Sequence, residues 1–167
     1  MKKLCLVNPV DISDEFYSLL SNVDITIVSS VEEASENYDL IALFHSTKIL
    51  SHEFVSGNNV INIHKSLLPA FDTENPVKDA YLAGVKVTGV TVFQYKNNDK
   101  KILAQYPVLL DNYTHYDDLE NELKEIELKL YPLVIKSILE DKIFDIVELL
   151  SPSNHGCSGC GGCGNCH

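Results

Sequence analysis

Asn62 and His64 are the two side chains whose types and spacing best suit catalysis. They lie two residues apart at the end of the apolar run that starts at Val60. Because alternate side chains of a strand project to the same face, both groups would point together from the end of a strand. An amide N–H group beside an imidazolium can stabilise the oxyanion that develops during acyl transfer. A polar strand end, with His64 hydrogen-bonded to the backbone, is the alternative that these residue types alone leave open.

The end of the chain, residues 151–167, has the composition of a metal-binding segment. Its sequence is SPSNHGCSGCGGCGNCH, without Asp, Glu, Lys or Arg. Cys-x-x-Cys pairs place two thiolates on one ion or cluster, and glycine lets the backbone wrap around it. The spacing predicts an iron–sulfur cluster or a zinc ion, with His155 and His167 as further candidate ligands. A flexible thiol-rich tail that binds metals only opportunistically is the alternative. The cysteines recur every three residues: Cys157, Cys160, Cys163 and Cys166.

The elements that would position Asn62 and His64 alternate between strand and helix patterns. Short apolar runs predict strands at residues 3–7, 23–28, 39–44 and 60–63. Helical stretches are predicted between them, at residues 14–20, 31–37 and 51–55. A further helix is predicted over residues 77–83, where Gly84 stops it.

The second half of the chain begins with a hairpin pattern, strands 86–95 and 102–110 joined by a polar turn. A long helix follows, with Thr114 as its predicted N-cap and with Pro132 predicted to kink or break it. A second helical stretch is predicted over residues 133–150. The long helix carries an apolar seam: Leu119, Leu123, Ile126, Leu130 and Leu133.

This order of elements predicts an α/β fold with three layers, in which a mostly parallel sheet has helices on both faces and a mixed edge. We expect residues 1–150 to form one domain and residues 151–167 to be an appended Cys/Gly-rich metal-binding tail. Asn62 and His64 then lie at the carboxyl edge of the sheet, where such folds bind ligands.

The composition excludes several classes of partner. Lys plus Arg number 13 and Asp plus Glu number 24, which gives a formal net charge of −11. A nucleic-acid backbone or an anionic membrane surface needs a positive partner. Apolar runs all fall short of the ~20 residues that span a bilayer, and the start MKKLCLVNPVD predicts a first strand rather than a secretory signal. We therefore expect a cytoplasmic protein that acts on a small molecule, and the oligomeric state stays open.

The positions of the glycines and histidines limit the possible kinds of functional site further. No glycine precedes Gly57, which excludes a Rossmann fingerprint or a P-loop near the N-terminus. Three further histidines are predicted to be surface or capping residues: His45, His52 and His115. The acidic stretch 117–127 is predicted to be a solvated helix face, and Cys5 a buried apolar thiol.

Residues 39–71, DLIALFHSTKILSHEFVSGNNVINIHKSLLPAF, resemble the core of the folate-dependent formyltransferases. The resemblance continues through LAGVKVTGVTV at residues 82–92 and ILAQ at residues 102–105, and it ends with ELKLYP at residues 127–132. It is weaker over residues 1–38. The stretches NIHxSLLPAF and AGVKVTGVTV are long and specific, and they imply a reduced Rossmann-type, formyltransferase-like fold.

The resemblance implies that an amine attacks the formyl carbon of 10-formyltetrahydrofolate, as in the one-carbon transfers of purine biosynthesis. Glycinamide ribonucleotide or a related amine would be the acceptor. The catalytic Asn and His of the family match Asn62 and His64, which would hold the oxyanion and relay a proton. The third catalytic residue of the family, an Asp that raises the pKa of the His, is matched by Asp99. The folate-binding turn is matched by three residues: Lys48, Ile49 and Leu50.

Departures from the family pattern leave a second hypothesis open. Asp99 stands before two lysines in a shortened loop, and residues 8–11 (NPVD) replace a Gly-Ser-rich phosphate-binding loop. Roughly 40 residues of the usual N-terminal half are also missing, a large fraction of a typical domain. The alternative function is a catalytically degenerate formyltransferase-fold module whose tail binds a metal or iron–sulfur cluster or senses redox state. An Asp99 carboxylate within reach of His64 would favour the enzyme, and one turned to solvent would favour the module.

Overall fold

A six-stranded sheet forms the centre of the protein. The computed structural model describes residues 1–34, 37–96, 99–112 and 115–146. Within them the strand order is β2-β1-β3-β4-β5-β6. The strands are β1 Lys2–Val7, β2 Val23–Val28, β3 Leu40–Phe44, β4 Val60–His64, β5 Val87–Lys96 and β6 Asp99–Leu109. The helices are α1 Asp14–Leu19, α2 His52–Gly57, α3 Pro76–Ala83 and α4 Tyr116–Leu139.

The sheet is parallel over its first four strands and antiparallel at one edge. β1 pairs in parallel with β2 and β3, and β3 pairs in parallel with β4. β4 and β5 are antiparallel, as are β5 and β6. Every residue of β3 and β4 is buried, because central strands of a parallel sheet are covered on both faces. The predicted α/β class with a mostly parallel sheet and a mixed edge is confirmed.

Alternate residues of the central strands contribute to two hydrophobic cores, one on each face of the sheet. Leu4 and Leu6 of β1 belong to the larger core, which includes residues of α1, α3 and α4. Cys5 and Val7 belong to the smaller core, against which Phe54 of α2 packs. Cys5 is a free thiol, and burial raises its pKa to about 11. The prediction that Cys5 is a buried apolar thiol is therefore confirmed.

Helix α4 is anchored to the sheet by Tyr131. The Tyr131 hydroxyl donates to the carbonyl oxygen of Leu43 in β3 at 2.8 Å. Pro132 lies inside α4 and does not break it, so the predicted break is wrong. A proline in a helix interior costs about 3 kcal/mol, but Tyr131, Val134 and Ile135 beside it are all buried. Burial of large apolar side chains contributes about 1.5–3 kcal/mol each and outweighs this local cost.

The end of α4 differs from the sequence prediction. The helix ends at Leu139, and residues 140–145 are not helical, so the second helix predicted over residues 133–150 is wrong there. Asp141 has a φ of 55°, in the left-handed region that cannot continue an α-helix. Residues 147–150 and the predicted N-cap Thr114 lie outside the described residues.

A smaller correction applies after β2. A 3₁₀ turn, Val31–Glu33, stands where the sequence predicted a helix over residues 31–37, and residues 35 and 36 lie outside the described ranges. By contrast, α2 begins after Ser51, whose hydroxyl accepts a hydrogen bond from the Phe54 N–H at 3.2 Å. Gly84 ends α3 in the left-handed conformation, as predicted, with a φ of 67°.

Two absences hold for the part of the chain that the structure describes. Its helices include none that is long and apolar enough to cross a membrane. Its His, Cys, Asp and Glu side chains form no group of three or more that could hold a metal ion. The metal prediction for Cys157, Cys160, Cys163 and Cys166 falls on residues 151–167, which lie outside that part.

Candidate functional site

A cavity of about 670 Å³ opens at the carboxyl ends of β3 and β4. It lies between the segment that follows β3, the segment that follows β4 and the end of the β5–β6 hairpin where β5 is connected to β6. Ligands of α/β proteins bind at this edge of the sheet, and small-molecule pockets enclose roughly 300–1,000 Å³. The described lining residues are Ser46, Thr47, Lys48, Ile49, Leu50, Val55, His64, Asp72, Thr73, Glu74, Phe93, Tyr95, Asp99 and Lys100.

His64 ends β4 and reaches this cavity with its imidazole ring mostly buried. Its Nε2 lies 2.9 Å from the carbonyl oxygen of Phe71. A carbonyl oxygen only accepts, so Nε2 carries the proton and donates it, which leaves Nδ1 of the neutral ring as a base. Burial lowers the pKa of His64, and this effect outweighs the Phe71 carbonyl and Asp72, which both raise the pKa. The expected raised pKa is therefore wrong, since desolvation dominates.

Three described carboxylates line the cavity with His64, and among them only Asp72 shifts its pKa. Asp99 is exposed, and its Oδ1 accepts a hydrogen bond from the backbone N–H of Lys100 at 2.8 Å. Among the described residues no hydrogen bond joins Asp99 to His64. Asp72 raises the pKa of His64 by its negative charge. The Lys100 Nζ lies 2.5 Å from the Asp72 Oδ2, so Asp72 is an ion-paired carboxylate beside the histidine.

Asn62 is fully buried behind the cavity rather than on its described surface. Its Nδ2 donates to the carbonyl oxygen of Ser46 at 2.8 Å and to the Tyr95 hydroxyl at 3.2 Å. Its Oδ1 accepts from the N–H of Ile63 at 2.9 Å. The Ser46 carbonyl can only accept, which identifies the nitrogen side of the amide. Asn62 and His64 do project from the same end of β4, as their spacing predicts.

The predicted folate-binding turn forms one wall of the cavity. Lys48, Ile49 and Leu50 all line it, and the Ile49 side chain is 99% exposed. An apolar side chain so open to solvent is suited to cover part of a ligand. The Lys48 Nζ pairs with the Glu32 Oε1 at 3.2 Å, so this ammonium is directed to the 3₁₀ turn rather than into the cavity.

The segment between His64 and Asp72 is held by side chains of the hairpin. The Thr91 hydroxyl of β5 donates to the carbonyl oxygen of Ser66 at 2.6 Å and accepts from the Leu68 N–H at 3.1 Å. The Gln105 Nε2 of β6 donates to the carbonyl oxygen of Leu68 at 3.0 Å. The peptide bond between Leu68 and Pro69 is cis. Three hydrogen bonds with Thr91 and Gln105 therefore hold residues 66–68 ahead of Asp72, which lines the cavity.

Glu127 of α4 is a functional candidate that sequence reasoning missed. It is 4% exposed, so the predicted solvated face is wrong at this position. The Glu127 Oε1 lies 2.8 Å from the Nε2 of His45, predicted to be a surface or capping residue, and its Oε2 lies 3.8 Å from the Lys65 Nζ. Glu127 follows Leu123 by four residues, a spacing that places both on one helix face. That spacing was the sequence signal from which the burial of Glu127 could have been predicted.

A second hollow of about 600 Å³ adjoins Glu127 and is rich in charged groups. The segment after β1 reaches its rim at Val10. The neighbouring Asp11 accepts a hydrogen bond at its Oδ2 from the Lys124 Nζ at 2.6 Å, which holds the pKa of Asp11 below its usual range. Its described lining is Val10, His45, Lys65, Asp117, Glu120, Asn121, Lys124, Glu127 and Leu128.

The fold and the site define an α/β protein with a small-molecule cavity at the carboxyl edge of a mostly parallel sheet, and with a buried histidine in its wall. The sequence profile of the formyl transferase family matches residues 14–135. Because this match spans more than half of the chain, the chain belongs to the formyl transferase family.

Curated relatives carry two different activities in their names. The chain is 36% identical over 105 residues to phosphoribosylglycinamide formyltransferase of Bacillus subtilis, a match to 60% of this chain and 54% of that protein. It is 35% identical over 136 residues to formyltetrahydrofolate deformylase of the same organism, which covers 77% of this chain and 45% of that protein. The chain thus spans about half the length of the curated relatives it matches.

Solved structures share the fold at lower identity. Phosphoribosylglycinamide formyltransferase from Bacillus halodurans superposes with a TM-score of 0.64 at 18% identity, over 86% of this chain and 100% of that one. A 4-N formyltransferase from Francisella tularensis gives a TM-score of 0.70 at 20% identity, over 86% of this chain and 71% of that one. Because the identities are 18% and 20%, this structural similarity supports only the shared fold. The expected shortening of the N-terminal half is not confirmed.

Proposed function

We propose that this protein takes the formyl group of 10-formyltetrahydrofolate in the cavity beside His64 and transfers it to an amine. The observation that supports this most directly is the placement of His64. A buried imidazole, fixed by the Phe71 carbonyl at 2.9 Å, lines a cavity of about 670 Å³ in a member of the formyl transferase family.

The cavity wall suits a folate-like donor. It combines apolar side chains, Leu50, Val55 and Phe93, with polar ones, among them Asp72 and Glu74. Pockets of this kind bury a ring system against apolar groups and orient it with a few polar contacts. The donor supplies the formyl carbon, and the residues of this chain orient it and manage protons.

His64 serves as the base in this proposal. Because burial lowers its pKa, the ring is neutral at pH 7 and can take a proton from the attacking nitrogen at Nδ1. The resulting imidazolium is stabilised by the Asp72 charge and can return the proton to the leaving nitrogen. His64 therefore both accepts the amine proton and protonates the leaving nitrogen.

The acceptor side favours an amine without a phosphate ester. Asp11 places a carboxylate where the family resemblance implies a phosphate-binding loop, and Lys124 is engaged by it at 2.6 Å. A phosphate there would meet a fixed negative charge. We expect glycinamide ribonucleotide to bind weakly, and calorimetric titration that showed micromolar binding would contradict this.

A variant of His64 tests the proposal. We expect His64→Ala to lower formyl transfer at least about 100-fold, the loss typical of a positioned acid–base group. The matched control is His52→Ala, since His52 is exposed on α2 and does not line the cavity. Absence of any formyl transfer or hydrolysis by the unmodified protein, or full activity in His64→Ala, would contradict the proposal.

Hydrolysis of the same donor is a second candidate function. It is favoured by relatives named formyltetrahydrofolate deformylase, of which one matches 77% of this chain. Here water takes the place of the amine, and His64 would accept its proton. Formate release from 10-formyltetrahydrofolate without any added amine distinguishes hydrolysis from transfer.

A further inference from the structure

Lys65 brings a primary amine of the protein itself next to the proposed base. It follows His64 directly in the chain, and consecutive Cα atoms lie about 3.8 Å apart. The Lys65 side chain is 17% exposed. A lysine amine sits on a flexible four-carbon stem and is a nucleophile once it has lost its proton. The chain therefore holds a candidate formyl acceptor of its own beside His64.

The lining residues show how this amine lies relative to the donor cavity. Lys65 and His64 both line a hollow of about 160 Å³. This hollow adjoins the donor cavity, because the two spaces share four lining residues: Thr47, His64, Thr73 and Glu74. Among the described residues, Lys65 lines the smaller space and not the donor cavity. His64 thus stands at the boundary between the proposed formyl donor and the Lys65 amine.

The ion pair between Lys65 and Glu127 is a loose one. The Lys65 Nζ lies 3.8 Å from the Glu127 Oε2, which is beyond the usual length of a hydrogen bond. This Oε2 is buried and has no hydrogen-bond partner among the described residues, whereas Oε1 contacts the Nε2 of His45 at 2.8 Å. A buried oxygen without a donor is costly. A proton transferred from the Lys65 Nζ would satisfy it.

We propose that Lys65 is itself a formyl acceptor: without a free amine, the protein transfers the formyl group of 10-formyltetrahydrofolate to the Lys65 Nζ. The inference rests on the proposed function, because it takes the donor to occupy the cavity beside His64. The modification converts Lys65 to N-formyllysine and removes the positive charge that faces Glu127.

The bonds and protons of this step balance without a further reactant. The Lys65 ammonium gives one proton to the Glu127 carboxylate, and the neutral Nζ attacks the formyl carbon. His64 takes a second proton from Nζ and passes it to the folate nitrogen as the bond between this nitrogen and the formyl carbon breaks. The products are an amide on Lys65, tetrahydrofolate and a proton that Glu127 releases to water.

The test follows a labelled formyl group onto the protein. The full chain is incubated with 10-formyltetrahydrofolate that carries ¹³C in its formyl group, without any added amine, and peptide mass spectrometry measures the label at each lysine. We expect more label on Lys65 than on Lys86, although the Lys86 side chain is 75% exposed. Direct chemical formylation by the donor would follow exposure and give the reverse order.

Variants connect the label to the site. His64→Ala should lower the label on Lys65 about 100-fold, the loss typical of a positioned acid–base group, and leave the label on Lys86 unchanged. Lys65→Arg keeps a positive charge beside Glu127 and should carry no label at this position. Circular dichroism checks that each variant is folded.

A second pair of variants tests the proton acceptor. Glu127→Gln should lower the label on Lys65, because the oxygen that takes the first proton is lost. Asp111→Asn is the matched control, since Asp111 pairs with the exposed Lys86 at 2.8 Å, and it should leave the label on Lys65 unchanged.

The outcomes separate this inference from the proposed function. Label that follows exposure, or an unlabelled Lys65 in a protein that still formylates an added amine, overturns the inference and leaves the proposed function standing. Full labelling of Lys65 in His64→Ala also overturns it, because the reaction would then proceed without the site. A donor that the unmodified protein leaves unchanged, with or without an amine, overturns both.

Discussion

At the scale of single residues, His64 lies among charges that act on it in opposite directions. Asp72 and the Phe71 carbonyl raise its pKa, whereas burial, Lys100 and His45 lower it. Besides the 670 Å³ cavity, His64 lines a smaller hollow of about 160 Å³. The charged or titratable groups that line these two spaces with it are His45, Lys48, Lys65, Asp72, Glu74, Tyr95, Asp99, Lys100, Tyr116 and Glu120. The balance favours the neutral ring that a general base requires.

The first prediction concerns which carboxylate supports His64. Asp72→Asn should lower the pKa of His64 further, because the ring loses a nearby negative charge and keeps Lys100 beside it. Asp99→Asn is the matched control and should leave the His64 titration almost unchanged. Histidine ring NMR signals followed over pH measure both variants. A larger shift in Asp99→Asn than in Asp72→Asn would assign the supporting role to Asp99, as the sequence predicted.

A second residue-scale prediction concerns stability and pH. The folded pKa of His64 lies below the ordinary value of 6.5, so between these two values the unfolded chain binds more protons. The free energy of unfolding should therefore fall as pH falls from about 6.5 towards the lowered pKa, and the His64 contribution is fully present above that window. His64→Gln should show a shallower decline in urea unfolding measured across this range. An equally steep decline in the variant would contradict this sign.

At the scale of elements, the β5–β6 hairpin holds the catalytic segment in place. Thr91 and Gln105 bind the backbone of residues 66–68, and Tyr95 and Lys100 of the same two strands line the cavity. Gly89 of β5 lies where a Cβ would meet the backbone oxygen of Tyr106 and come within 2.8 Å of a Leu67 side-chain carbon. Close approach of β5 to β6 therefore depends on glycine at this position, and the Leu67 side chain of the segment packs against the same point.

The third prediction tests this close approach. Gly89→Ala should destabilise the protein by about 2–3 kcal/mol or more, the cost of forcing atoms into a packed core, and should also reduce turnover by moving residues 66–68. Gly57→Ala is the control, because its Cβ would meet nothing within 4 Å. Chemical denaturation of both variants measures the difference. Equal stability of the two would show that the hairpin can shift without cost.

At the scale of the whole molecule, the cavity beside His64 and the hollow beside Glu127 lie along one edge of the sheet. The predicted metal ligands lie outside the described residues. His45 and Lys65 line the charged hollow beside Glu127, while His64 lines the larger cavity. All the acidic residues that give the net charge of −11 occur before residue 151. Metal binding by residues 151–167 stays a prediction, based on the cysteine spacing alone.

The fourth prediction concerns that segment. We expect the anaerobically purified chain to carry iron and sulfide, or zinc, in fixed ratio to the protein. Truncation after Leu150 should remove the metal and shift the thermal midpoint by less than about 2 °C, which corresponds to under 1 kcal/mol for a chain of this size. Elemental analysis and thermal melts measure this, with a variant carrying serine at all four tail cysteines as control. A metal-free full-length chain would refute the prediction.

The sequence by itself determined the order of elements, the fold class and the position of the histidine. Strand patterns depend on local periodicity, and the NIHxSLLPAF motif carries the family resemblance, so β4 and His64 could be predicted without knowledge of their neighbours in space. The tertiary structure decided the contacts of these groups, because contacts between distant residues depend on packing. Burial, which follows from packing, made His64 less basic than expected. Packing also placed Tyr95 and Asp72 beside the site. Packing of α4 against the sheet likewise carried the helix through Pro132 and buried Glu127, which the acidic composition of that stretch had concealed.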